Sequence, residues 1–171
     1  MWSVWRSPCL DVAPELATEE IDTGFCKGIR TNAIYKNLYE WIRSTAEKYS
    51  SKDDYIISYI YTPMVHMITK RKPALEDTYI DFYEFPGSNY ENEINRMKEK
   101  GREPKLVFYF VAPPVIMPVS LRYDNSEYMW FRSIINFPHN DPISKYVVEN
   151  MYLLDTFTLN EDQIVRCFSK R

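Results

Sequence analysis

Few residues in this chain could perform acid, base, nucleophilic or metal chemistry. There are two histidines, His66 and His139, and three widely separated cysteines without a CxxC pair. A zinc site needs closely spaced ligands, and a catalytic triad needs a nucleophile, a histidine and an acid brought together. Acidic pairs such as Asp53 and Asp54 fall in predicted turns, where they are normally solvated or capping groups. The sequence therefore predicts no catalytic residue, no metal site and no cofactor.

Phosphate-binding loops are missing as well. The four glycines form neither GxGxxG nor GxxxxGK[ST]. Those motifs place backbone amides against a nucleotide's phosphates, and a fold without the site does not license the function. We therefore expect no dinucleotide or nucleoside triphosphate to bind here.

Two groups of cations are the remaining candidates for a ligand site. The first comes directly before a predicted helix, whose free amides and dipole attract anions. The second closes another predicted helix, where cations equally well offset the helix dipole. The candidate ligand-binding residues are Lys27, Arg30 and Thr31 in the first group and His66, Lys70 and Arg71 in and after the second helix.

Composition limits the class of partner. The chain has 171 residues with 21 basic and 24 acidic side chains, and its net charge is −3. Nucleic-acid binding proteins usually carry a basic excess on the chain or on one face, so we expect no nucleic-acid partner. Aromatic residues make up 16% of the chain and include fourteen Tyr. Tyr suits half-wet interfaces, but a Tyr-rich core explains the same composition, so both interpretations stay open.

Alternating strand and helix patterns predict an α/β fold. Residues 55–60 and 106–111 are apolar runs typical of strands buried on both faces of a parallel sheet. Helices are expected from Thr31 or Asn32, from Thr62-Pro63 to about Lys72, from Ser88 to Gly101, and from Asp141-Pro142. Residues 152–157 and 164–168 predict a closing hairpin. We expect a three-layer Rossmann-like sandwich, mostly parallel, with an antiparallel C-terminal edge hairpin.

Weaker patterns surround these elements. Short strands are predicted at residues 2–6, 25–30 and 79–85, and residues 127–134 fit either a helix or an edge strand. Residues 1–171 read as a single domain with an irregular lead-in over 1–24. The sequence contains neither a signal peptide nor an apolar run of the ~18 residues that span a bilayer.

Short motifs follow one another in a familiar order from about residue 22 to 168. They are Gly28-Ile29-Arg30-Thr31, Leu38 to Arg43, Lys52 to Ile57, Tyr61 to Pro73, Glu103 to Val107, and Ile143 to Tyr152 with Ile164-Val165-Arg166. Their order resembles the C-terminal extracytoplasmic portion of GT-C-type membrane glycosyltransferases. These include dolichyl-phosphate-mannose protein mannosyltransferases and aminoarabinose lipid A transferases. The family usually has Gly before the matched Arg71, whereas this chain has Lys70.

The resemblance implies an accessory domain of a polytopic membrane enzyme that takes its sugar from a polyprenyl-phosphate donor. The acid that activates the acceptor lies between early membrane helices in that family, so no catalytic residue transfers to this chain. The implied partner is the transmembrane part of the same polypeptide, and a lipid-linked sugar or an acceptor is a further candidate. Met1 would then be a cloning start, and the domain would lie on the extracytoplasmic, periplasmic side of the membrane.

Two other hypotheses stay open on the residues alone. One is a stand-alone module that binds a small anionic or sugar ligand through the two cationic groups. The other is a small hydrolase assembled from Asp, Glu and His66, which needs a cleft that holds a perturbed acid beside a partner.

Overall fold

The computed structural model describes residues 16–59, 64–78, 87–111, 142–159 and 164–171. These residues form seven strands and four helices, which are numbered here in chain order. They are β1 (Glu19–Glu20), β2 (Arg30–Thr31), α1 (Ala33–Tyr49), β3 (Tyr55–Tyr59), α2 (Met64–Thr69), β4 (Lys72–Pro73), α3 (Gly87–Glu99), β5 (Pro104–Val111), α4 (Pro142–Asn150), β6 (Met151–Thr158) and β7 (Ile164–Lys170).

Five of the strands form one mixed sheet in the order β4-β3-β5-β7-β6. Strand β3 pairs in parallel with both β4 and β5. Strand β7 pairs antiparallel with β5 on one side and β6 on the other. The predicted α/β class and the antiparallel C-terminal hairpin are thus confirmed, but the sheet is mixed rather than mostly parallel, because two of its four pairings are antiparallel. Pro73 lies in β4 at an edge of this sheet, where its missing N–H is tolerated.

The sheet carries a core cluster on each face because successive strand residues point to opposite sides. On one face, residues from β3, β5, β6 and β7 pack with α3 and α4; on the other, residues from β3, β5 and β7 pack with α1 and α2. The two clusters explain why both central strands are apolar almost without a break. The strand residues of the first cluster are Ile57, Tyr59, Val107, Tyr109, Met151 and Phe168, and those of the second are Ile56, Leu106, Phe108, Val165 and Cys167.

Helix α1 begins where its sequence predicts. Asn32 is the N-cap, and its Oδ1 accepts a hydrogen bond from the Tyr35 amide at 2.9 Å. Leu38 and Ile42 are buried, whereas Ile34 in the first turn is 48% exposed.

The other helices depart from the predictions mainly at their ends. Helix α3 includes Ser88, so that residue is not the predicted cap, but Ile94 and Met97 are buried as expected. The helix closes at Gly101 with the amide of Arg102 donating to the Met97 carbonyl at 2.9 Å. Helix α2 ends at Thr69 rather than near Lys72. Pro142 opens α4 as predicted.

The predicted strand over residues 25–30 is wrong except for its last residue. Only Arg30 and Thr31 pair, with Glu20 and Glu19, in a separate two-stranded antiparallel sheet. Residues 24–29 instead form consecutive turns. Gly24 and Gly28 have φ values of 72° and 88°, a conformation that a continuous strand does not use.

Several predictions lie outside the described residues. They are the strands at 2–6 and 79–85, the helix start at Thr62-Pro63, the ambiguous segment 127–134, the turn at 160–162, and His139. Among the residues that are described, no helix is long and apolar enough to cross a membrane.

Candidate functional site

Arg71 is the most heavily bonded of the predicted ligand-binding residues. It is only 8% exposed. Its guanidinium donates to the Ala46 carbonyl at 3.1 Å, to the Ser50 carbonyl at 2.8 Å, and to the Thr69 carbonyl. Its Nε donates to the Ser50 hydroxyl at 3.2 Å. Arg71 therefore connects the C-terminal end of α1 to the end of α2.

This contact follows from helix electrostatics. The last carbonyls of a helix lack intrahelical partners and carry the negative end of the dipole. A planar guanidinium offers several donors in a fixed fork and can serve more than one carbonyl at once. The positive charge and the geometry of Arg71 thus both fit the end of α1.

The two lysines beside Arg71 have different environments. Lys70 is exposed and has a φ of 55°, and its amide donates to the His66 carbonyl at 2.9 Å to close α2. Lys72 forms an exposed ion pair with Asp53 at 3.0 Å. The hydrogen bond that Lys72 donates to the Asp53 carboxylate raises the pKa of Lys72. The basic run at 70–72 is thus divided among three separate contacts.

His66 and Cys167 are poorly suited to catalysis at neutral pH. Burial lowers the pKa of His66 from 6.5 to about 4, and its buried Nδ1 has no partner among the described residues. Burial, with a smaller contribution from Asp155, raises the pKa of the Cys167 thiol to about 12. A thiol nucleophile needs a lowered pKa instead. Among the residues that the structure describes, no group of three or more His, Cys, Asp or Glu side chains could hold a metal ion.

The first cationic group lies beside the N-terminal end of α1. Lys27 and Arg30 are exposed, whereas Thr31 is fully buried. The Thr31 hydroxyl has no hydrogen-bond partner within the described structure. The three residues therefore do not share one solvent-facing surface, and only the two cations are accessible from outside.

The two predicted groups lie at opposite ends of α1. Thr31 directly precedes this helix, while Arg71 binds carbonyls in its last turn. A helix of 17 residues is about 25 Å long at about 1.5 Å per residue. The structure does not bring the two groups together, so a single small ligand cannot contact both.

A third cluster, missed in the sequence, lies at the carboxyl ends of β3 and β5. The rings of Tyr59 and Tyr109 are 4.8 Å apart. The Tyr109 and Ser144 hydroxyls are hydrogen-bonded at 2.8 Å and buried, and Ser144 lies in the first turn of α4. Ligands of open α/β sheets bind at the carboxyl ends of the strands, at the point where the strand order reverses. Here the order reverses at β3, because β4 lies on one side of it and β5 on the other. A Tyr in each buried strand was the available signal.

No family model matches the chain, and no curated protein matches it. Among solved structures, it is similar to the C-terminal globular domain of the oligosaccharyltransferase AfAglB-S2 from Archaeoglobus fulgidus. The two share 18% identity with a TM-score of 0.42, over 84% of this chain and 100% of the other. This TM-score is too low to establish a shared fold or a shared activity.

Substitution of Arg71 should destabilise the domain strongly. Arg71→Ala leaves carbonyls of two helix ends without their charged donor, and we expect a loss of about 3 kcal/mol in the free energy of unfolding. Arg71→Lys should fall between the wild type and Arg71→Ala, because an ammonium cannot reproduce the fork. Urea unfolding measures both. The control is Lys72→Ala, which removes an exposed ion pair and should have a much smaller effect; equal losses would contradict the structural role of Arg71.

Replacing Lys70 with glycine should stabilise the domain. A non-glycine residue in the left-handed region is strained, and glycine relieves this strain at the expense of a more flexible unfolded chain. We expect Lys70→Gly to raise the free energy of unfolding by about 1 kcal/mol. Lys70→Ala removes the same charge but keeps the Cβ atom, so it should give no such gain. A stabilisation shared by both variants would mean that charge, rather than backbone conformation, is responsible.

His66 should make the domain less stable in mild acid. As the pH falls, the unfolded chain takes up the proton first, near 6.5, because the folded-state pKa is about 4. The contribution of neutral His66 is therefore complete above pH 6.5 and is lost progressively toward pH 4. The loss is on the order of 3 kcal/mol. Unfolding of the wild type and His66→Gln across this interval isolates the effect, and parallel stability curves would contradict it.

Proposed function

We propose that this chain is the extracytoplasmic accessory domain of a polytopic membrane glycosyltransferase. The donor is a sugar linked to a polyprenyl phosphate, and this domain has no catalytic centre of its own. Its partner is the transmembrane part of the same polypeptide. The domain itself lies on the periplasmic side of the cytoplasmic membrane. A lipid-linked sugar or the acceptor is a second partner of the assembled enzyme.

The observation that carries the proposal is the backbone conformation of Lys70. The family that the chain resembles usually has Gly immediately before the matched arginine. Here the residue at that position is Lys70, and its φ of 55° lies in the region that favours glycine. The glycine of the family motif predicts a positive φ at this position, and Lys70 has a positive φ although it is not glycine.

Other motif residues also have structural contacts rather than a shared cleft. The Asp54 carboxylate accepts a hydrogen bond from the Ser51 amide at 2.7 Å in the turn before β3. Asn150 donates to the Tyr146 carbonyl at 2.8 Å at the end of α4. Together with the contacts of Arg71 at two helix ends, these hydrogen bonds support a structural role for the motif residues, with the chemistry performed by another part of the enzyme. The core clusters on both faces of the sheet support a three-layer Rossmann-like arrangement as part of the same proposal.

The complete coding region tests the proposal directly. We expect the open reading frame that contains these 171 residues to encode several apolar spans of about 20 residues. Antibodies raised against this chain should detect the full polypeptide in membranes, with the domain cleaved by protease added outside the cytoplasmic membrane. A reading frame without such spans would overturn the proposal. Membranes that contain the polypeptide but transfer no sugar from a polyprenyl-phosphate donor would overturn the donor class.

A second candidate is a stand-alone module that binds a small anionic or sugar ligand. The exposed Lys27 and Arg30 beside the start of α1 favour it, whereas Thr31 and Arg71 are buried. Thermal shift with phosphate, sugar phosphates and free sugars tests it, because a ligand that binds only the folded state raises the melting temperature. Lys27→Gln/Arg30→Gln should abolish the shift. No shift with any of these compounds would exclude them as ligands.

A further inference from the structure

Exposed apolar side chains concentrate at the first hairpin. Eight large apolar residues are exposed in the described part of the chain, and four of them lie between residues 16 and 34. Phe25 and Ile29 are 51% and 42% exposed and lie in the turns that join β1 to β2. Residues 23–30 are called the apolar loop here. Large apolar side chains that stay exposed within one short segment mark candidate interaction sites.

The apolar loop is held in a defined shape by its own hydrogen bonds. The Lys27 amide donates to the Gly24 carbonyl at 3.4 Å, and the Ile29 amide donates to the Cys26 carbonyl at 3.0 Å. The Gly28 amide donates to the Ile21 carbonyl at 2.8 Å. These are two successive turns closed back onto β1, and they fix the directions of the side chains between them.

Contacts with the core also restrain the loop. Cys26 is completely buried, and the Tyr39 hydroxyl of α1 donates to the Thr23 carbonyl at 3.0 Å. A Cβ atom on Gly24 would lie 2.1 Å from that hydroxyl, so the loop approaches α1 closely. Phe25 and Ile29 therefore stay exposed on a loop whose backbone and buried Cys26 are held against the domain.

The charges of the apolar loop are all positive. Its two charged residues are Lys27 and Arg30, which are exposed and form no ion pair within the described structure. Nearby acids belong to the preceding segment: Glu19 pairs with Lys36 at 3.8 Å, and Glu20 and Asp22 are exposed. Two apolar side chains flanked by two cations fit an anionic bilayer surface, where apolar groups enter the headgroup region and cations remain near the phosphates.

We propose that the apolar loop docks onto an anionic lipid bilayer, with Phe25 and Ile29 inserted among the headgroups and Lys27 and Arg30 beside lipid phosphates. The inference rests on the proposed function, which places the domain next to a membrane. It adds the face of the domain that touches the lipid and the residues that do so. The rigid loop favours this contact because little conformational freedom is lost on binding.

Vesicle co-sedimentation of the intact 171-residue chain tests the docking. Vesicles of equal parts phosphatidylglycerol and phosphatidylcholine should bind the chain, pure phosphatidylcholine should bind it less, and added salt should weaken the binding. Phe25→Ala/Ile29→Ala should lower the partition coefficient about tenfold or more. Lys27→Gln/Arg30→Gln should lower it on the order of tenfold, on anionic vesicles only. Thermal melts should show that both variants remain folded, since all four side chains are exposed.

A matched control is available on β6. Tyr152 and Leu153 are 48% and 53% exposed, so Tyr152→Ser/Leu153→Ser removes comparable apolar surface away from the loop and should leave binding unchanged. Failure of the chain to sediment with anionic vesicles would overturn the inference. So would an equal loss in the β6 control, or binding that persists after Phe25 and Ile29 are both replaced. A negative vesicle result together with membrane spans in the reading frame would reject the docking loop and leave the accessory-domain proposal standing.

Discussion

The end of α1 poses the constraint on which much of this domain depends. The last carbonyls of that helix carry the negative end of its dipole, and they lie where a second helix ends and an edge strand begins. Arg71 supplies the donors from between α2 and β4, and reaches Ala46, Ser50 and Thr69 with one side chain. Because one buried cation bonds both helix ends, the positions of α1, α2 and β4 relative to the sheet are coupled. Its charge is balanced by helix carbonyls, which accounts for a buried arginine used for structure.

Side-chain polar groups also join elements at the carboxyl ends of the central strands. The rings of Tyr59 and Tyr109 pack in a tilted arrangement near the ends of the two central strands, and the Tyr109 hydroxyl is hydrogen-bonded to that of Ser144 in α4. Part of the tyrosine-rich composition is therefore core, with polar tips used to join elements. Burial keeps His66 neutral and the Cys167 thiol protonated at neutral pH. The apolar loop instead exposes Phe25 and Ile29 at the surface.

Sequence reasoning worked best where the cause of a structure is local. The apolar runs in β3 and β5, the Asn32 cap, the stop at Gly101 and the start at Pro142 each depend on residues a few positions apart. It failed where a distant contact decides. Residues 25–30 have strand-like composition, yet Tyr39 and the β1 backbone hold them as turns. Arg71 was selected for its charge, but the carbonyls that bind it lie 21 and 25 residues away along the chain.

By itself, the sequence determined the α/β class, the central strands, the closing hairpin and the scarcity of reactive side chains, because these follow from periodicity, capping and composition. Only the tertiary structure decided what the two cationic groups do. Helix α1 separates them by its length, with the buried Thr31 before its start and Arg71 bonded to carbonyls at its end. Burial and the partners of a charged group depend on position in space, which a sequence of residue types does not state. The exposure of Phe25 and Ile29 was decided in the same way, by turns and a tyrosine contact that hold an apolar pair away from the core.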